Sequence, residues 1–211
     1  MVVRIARGRD NAKGLFGTEY VFLLCVSTAL LLMPAMLVRE VSGRFGFLAR
    51  KKTIEAYALA KPALLGCLLL ANAFHCRTSA LFATVFLVDL YTYLTGLIFL
   101  RRFYTSPVSA QRSLILLGIN FVESILGFAV LYGFFGALQR SGDAVAPIDA
   151  LALAYFSLVT STTVGFGDII PICGGGRALV CLQIMASVVF LSVFVVEFVG
   201  RLHAEPPGPS K

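Results

Sequence analysis

Apolar residues fill this chain in five runs of membrane-spanning length, Tyr20–Val38, Ala56–Phe74, Ala80–Leu100, Leu114–Leu138 and Ala178–Gly200. Each is close to the ~20 residues that a helix needs to cross a bilayer. A sixth run, Ala150–Ser161, is too short: as a helix it rises about 18 Å against a hydrocarbon core of about 30 Å. It leads into "LVTSTTVGFGDIIP", Leu158 to Pro171, which breaks the apolar pattern with threonines, two glycines and an aspartate. Non-helical backbone at membrane depth is tolerated only where it is buried in protein or lines a watery path. Asp149, after Pro147, is placed to cap the short helix. The negative C-terminal end of that helix then points at "TTVGFG", where a cation is favoured.

Composition agrees with the pattern. A mean hydropathy of +0.88, with 58% hydrophobic and 14% charged residues in 211, is far too apolar for a soluble core of this size. The expected class is an all-α, multi-pass protein of the cell membrane, surrounded by lipid. The net charge of +7 is not gathered on an aromatic-rich face, which excludes a nucleic-acid partner. Half of the 18 Lys and Arg residues precede Glu55, and basic residues beside spanning helices read as a topology signal. The first run follows Arg4, Arg7, Arg9 and Lys13 like a signal peptide, but it is long and has no clear small-residue cleavage pattern, so it is read as a membrane segment.

Five cysteines, Cys25, Cys67, Cys76, Cys173 and Cys181, and two histidines, His75 and His203, have no metal-ligand spacing, so no structural metal is expected. Three of the cysteines read as small buried hydrophobes. A disulfide between Cys76 and Cys173 stays open. No nucleophile and base can be assembled, so the chain is not read as an enzyme, and no cofactor is expected.

In "TVGFG" two glycines alternate with larger residues, so the chain can reach positive φ and turn successive carbonyls to one side. Here the sequence resembles the potassium channel family, whose filter is TVGYG or TVGFG followed by Asp. Thr163, Val164, Gly165, Phe166, Gly167 and Asp168 match it position by position, within the wider string "YFSLVTSTTVGFGDIIP". A phosphate-binding turn is the bland alternative, but the strand, the following helix and the Lys of such a loop are missing.

The resemblance implies a homotetramer with a re-entrant pore helix and filter between an outer and an inner helix. K+ would be held by the Thr163 hydroxyl and carbonyl and by the carbonyls of Val164, Gly165 and Phe166. Gly167 and Asp168 would shape the outer mouth. Thr162 and Tyr155 would support the filter, the Tyr155 hydroxyl bonding Asp168. Val159 stands where some bacterial pores carry a glutamate, so that carboxylate partner of Asp168 is missing. Ser187 takes the place of the family's hinge glycine; a serine bends a helix only slightly, by bonding to the preceding turn. Val188, Leu191, Ser192, Val195 and Val199 would line the cavity and a dewetting gate, or the same stripe packs on the outer helix. The "PICGGGR" glycines read as a flexible link.

Lys61, Asp89, Glu123 and Glu197 are ionisable residues inside apolar runs, costly in lipid and functional candidates by default. Glu123, near Asn120, is expected to form a buried hydrogen bond across helices rather than to sense protons. Lys61 and Glu197 are expected to snorkel to the interface. Asp89 is left without a role.

Four segments follow: a basic start over 1–19, three membrane helices over 20–104, the pore domain over 105–202 and a tail over 203–211 too short and Pro-rich for a regulatory domain. The pore orientation implied by the resemblance puts Arg101, Arg102, Arg112 and Arg201 inside, with Arg39, Arg44, Arg50, Lys51 and Lys52. Five crossings then leave the basic N-terminus outside. Either the first run breaks at Pro34, or the pore overrides the charge of the first segment; five crossings are the preferred count. No run carries Arg or Lys at every third position, so a conventional voltage sensor is not expected. The resulting expectation is passive, potassium-selective conduction. The alternative is a non-conducting channel-like subunit that assembles with or regulates another membrane protein.

Overall fold

In the computed structural model the described residues are 47–99, 110–142 and 148–202, together with positions 34 and 38. Helix α1 covers Phe47–Leu70, α2 Arg77–Phe99, α3 Ala110–Phe135, α4 Ala150–Ser161 and α5 Gly174–Leu202; strands β1, Leu138–Arg140, and β2, Ile169–Pro171, lie between. Helices α1, α2, α3 and α5 are each long and apolar enough to cross a membrane, and α4 is not. The described chain is therefore that of a multi-pass membrane protein. Most of the first run, residues 39–46, Arg101, Arg102, the side chains of Arg112, Glu197 and Arg201, and the tail fall outside what is described, and with them the number of crossings.

Helix α3 is the hub, because half of its span is buried within the chain, the largest share of the four. It packs against α1, α2, α4 and α5. In lipid the hydrophobic effect does not hold helices together, so close packing and polar contacts must. Gly133 shows the first: a Cβ there would lie 2.5 Å from Phe74 and 2.7 Å from Leu153. Only glycine lets the α1–α2 turn and α4 approach α3 from either side. Phe74, Leu65, Phe128, Tyr132 and Leu153 belong to one core cluster, and Leu90, Leu94, Leu117, Phe190 and Val193 to a second. The α1–α2 turn passes through Asn72 at φ 52°, and the Ser79 hydroxyl donates to Ala73 O at 2.7 Å to close it.

The polar contacts are more consequential. Lys61 on α1 was expected to snorkel, but it is buried, 3.2 Å from Asp89 Oδ2 on α2 and 2.9 Å from Glu123 Oε1 on α3. Two carboxylates on neighbouring helices replace the water its ammonium would otherwise seek. Asp89 also accepts from the Tyr57 hydroxyl at 3.1 Å, and the Lys61 ammonium lies 4.9 Å from the Tyr57 ring centroid. Only the Asp89 contact has hydrogen-bond alignment; Glu123 has neither carboxylate oxygen hydrogen-bonded by protein. We therefore treat the Lys61–Glu123 approach as an ion pair. Asn120 is half-buried one turn earlier on α3 and lies outside this cluster.

One further expectation is corrected. The "GGG" of residues 174–176 is not a link but the first turn of α5. Cys173 starts it, its carbonyl accepting from Arg177 N at 3.0 Å and its sulfur from Gly176 N at 3.2 Å. The described residues are otherwise mostly helical, in keeping with the all-α class; the addition is that β1 and β2 pair antiparallel, with Leu138 opposite Pro171, Gln139 opposite Ile170 and Arg140 opposite Ile169. Three-residue strands leave too little alternation to be read from sequence.

Candidate functional site

Helix α4 and the segment after it form the site. Asp149 caps α4, its carboxylate accepting from Ala152 N at 3.2 Å. Alanine and leucine then carry the helix to Ser161 without an internal glycine or proline. Its last turn is held closed by the Thr162 hydroxyl, which donates to Leu158 O at 2.8 Å, and by Thr162 N, which donates to the same carbonyl at 2.9 Å.

Beyond Thr162 the backbone alternates. Thr163 lies at φ 58°, Gly165 at 61° and Gly167 at 78°, while Val164 and Phe166 between them do not enter the positive-φ region. Alternating handedness turns successive peptide carbonyls to the same side of the strand instead of to opposite sides. Thr163 was not foreseen in this role, since a threonine at positive φ is strained. It is held there by Thr163 N donating to Thr160 O at 3.1 Å and Val164 N to Val159 O at 3.0 Å. The only signal in the sequence is the even spacing of 163, 165 and 167. Residues 162 to 168 are all exposed in the single chain, Val164 and Phe166 at 54% and 68%.

Several bonds anchor the far end. Ser141 N donates to Asp168 O at 2.7 Å, β1 pairs with β2, and Ile172 N donates to Ala137 O at 3.0 Å. A Cβ at Gly176 would sit 2.9 Å from that same Ala137 carbonyl. The exit of the segment is thus tied to the C-terminal end of α3. Tyr155 stacks on Phe166, with ring centroids 6.4 Å apart and planes 4° from parallel. Its phenol is pushed up from the usual tyrosine range, first by desolvation and then by hydrogen bonding to Asp168 and the charge of that carboxylate.

Behind α4 lies a buried polar network that sequence reading missed. Gln183 on α5 is fully buried; its Nε2 donates to Ser157 O at 2.9 Å, Ser157 Oγ at 2.8 Å and Ser161 Oγ at 2.7 Å. Its Oε1 accepts from the Tyr132 hydroxyl at 2.7 Å, and Ser157 Oγ donates to Ile125 O at 2.7 Å. Three helices meet there. One glutamine in an apolar run was the available signal. Val159, on α4, is buried.

On α5 the Ser187 hydroxyl donates to Gln183 O at 2.9 Å and that of Ser192 to Val188 O at 2.8 Å, each bonding back one turn. Val188, Leu191, Val195 and Val199 are exposed, and so are Leu182, Met185 and Phe198 on other faces. Cys76 and Cys173 are both free thiols, and the Thr78 hydroxyl bonded to Cys76 lowers its thiol below the usual range. Among the described residues no group of His, Cys, Asp and Glu could hold a metal ion.

Residues 120–203 match a family model described as an ion channel. The matched stretch, less than half of the chain, runs from α3 through α4 and the alternating segment to the end of α5, so this part of the chain is similar to ion channels. No curated protein and no solved structure matches the chain.

Proposed function

We propose that this chain is one subunit of a homotetrameric potassium-selective channel, in which α4 re-enters the membrane and residues Thr163 to Gly167 are the selectivity filter. The observation that carries the reading is the alternation of backbone handedness at Thr163, Gly165 and Gly167 directly after the C-terminal end of a short apolar helix. Carbonyls turned to one side are the groups that replace the hydration shell of a bare cation. The helix end adds its partial negative charge. One strand gives carbonyls on one side only, and four are needed to surround an ion.

Thr163 contributes its hydroxyl and carbonyl, and Val164, Gly165 and Phe166 their carbonyls, as K+ ligands. Gly167 and Asp168 form the outer mouth, with Thr162 and Tyr155 supporting from behind. In the tetramer the exposed Val164 and Phe166 side chains face neighbouring subunits and the carbonyls face the axis. Val188, Leu191, Ser192, Val195 and Val199 line the path below, with Ser187 at the bend.

Purified protein in liposomes should pass K+ far faster than Na+, and barium should block it. Equal flux of the two ions would remove the selectivity claim. No flux, together with co-purification of a different pore subunit, would favour the non-conducting reading.

A further inference from the structure

The filter of a potassium pore is only as ordered as the helix that presents it. Here the carboxylate that backs some such filters is replaced by Val159, and the polar groups behind α4 are supplied instead by α5. We propose that Gln183 is a positioning residue for the filter: its carboxamide fixes the last turn of α4 to α3 and α5, so that ion discrimination depends on where α5 sits. The inference rests on the channel reading for its ion-flux consequence, but not for its structural one.

The orientation of the amide follows from its neighbours. Ser157 O is a backbone carbonyl and can only accept, so the group 2.9 Å from it must be the NH2 of Gln183. The Tyr132 hydroxyl then donates to Oε1, as the 2.7 Å separation requires. Ser157 Oγ already spends its proton on Ile125 O, leaving lone pairs for Nε2. Two amide protons thus serve three acceptors on α4, and every polar atom of a fully buried side chain has a partner. A buried network satisfied to this degree specifies one arrangement, because any displacement leaves groups unpaired.

The reach of the network is what makes it functional. Ser161 is the last residue of α4, and Thr163 begins the alternating backbone two residues later. From the same glutamine, the main-chain carbonyl accepts from Ser187, the position where α5 would bend. One residue therefore contacts both the support of the filter and the candidate hinge. A shift of α5 at Ser187 is carried by Gln183 to Ser161.

The test compares wild type with Gln183→Met, which keeps length and removes both hydrogen-bonding groups, and with Gln183→Glu, which keeps shape. In liposomes Gln183→Met should lower the K+ over Na+ flux ratio about tenfold or more, the loss of buried hydrogen bonds being decisive. Gln183→Glu should recover the ratio at acid pH, where its protonated carboxyl donates to Ser157, and lose it as the carboxyl ionises. A Gln183→Met protein with the wild-type ratio, or a Gln183→Glu protein no better than Gln183→Met at acid pH, would overturn the proposal. Should Gln183→Met fail to assemble, Ser161→Ala decides, since it removes one acceptor beside the filter; a several-fold fall is expected and an unchanged ratio counts against.

Amide hydrogen exchange separates this from failure of the channel reading. Gln183→Met should speed exchange over residues 158–168 while leaving α1 and α2 as they are, whether or not the wild type prefers K+. Unchanged exchange in that segment sinks the positioning role.

Discussion

Thr163, Gly165 and Gly167 adopt one backbone conformation at unequal cost. Glycine enters the left-handed region freely, whereas a residue with a Cβ loses about 1–2 kcal/mol there. Nothing lies within 4 Å of a Cβ built on Gly165 or Gly167, so a substitution is opposed by the backbone and not by a clash inside the chain. Gly165→Val should leave α1 to α5 folded, with unchanged helical circular dichroism, and abolish K+ flux. Retained flux would show that positive φ at 165 is not required for conduction. The two glycines were legible in the sequence because only glycine makes such positions cheap. Thr163 was not, because its strain is held by bonds to Val159 and Thr160 that exist only once α4 has formed. Val159 shows a second limit: the missing carboxylate was readable, but the amide that bonds the back of α4 lay on another helix, in Gln183.

Between elements, the sequence showed where helices run far better than what joins them. Helices α2, α3, α4 and α5 follow the apolar runs to within a few residues, whereas α1 starts at Phe47, well before the run at Ala56, because its first turns are basic and polar and carry no apolar signal. Lys61 was misplaced because snorkelling and pairing look alike from one helix, and the partners Asp89 and Glu123 sit on two others. Removing one member of a buried ion pair costs about 3–5 kcal/mol, since the remaining charge is left uncompensated. Lys61→Met should therefore lower thermal stability sharply by leaving two buried carboxylates, and the triple variant Lys61→Met, Asp89→Asn, Glu123→Gln should recover most of it. A single variant as stable as wild type would show that the ammonium contributes little. The junction of α3 and α5 gives a contrasting case. Gly176→Ala places a methyl 2.9 Å from Ala137 O, and overpacking of this kind costs about 1–3 kcal/mol. Because Ala137 O also accepts from Ile172 N, the strain falls on the exit of the alternating segment. K+-dependent thermal stabilisation of the protein should drop in Gly176→Ala, by more than in Gly174→Ala, where a Cβ meets nothing within 4 Å.

At the scale of the whole molecule, α1 and α2 are bound to α3 by charge and not only by packing. The domain match begins at residue 120, so Glu123 lies inside it while its counter-charge comes from outside it. The apolar runs and the resemblance divided the chain into 20–104 and 105–202; Lys61 and Asp89 of the first segment and Glu123 of the second meet in one buried cluster. A chain cut to residues 105–211 would uncover a glutamate that is fully buried in the intact chain. A charged or unpaired carboxyl at that depth is costly, so the truncated chain should express poorly and fail to form a discrete oligomer on gel filtration. Glu123→Leu in the same truncation removes the unpaired group and should restore a discrete species, whereas Glu123→Leu in the full chain should destabilise it by stranding Lys61. Opposite signs for one substitution in two lengths of chain are what an interlock requires. The same sign in both would mean that the first helices are held on by packing alone.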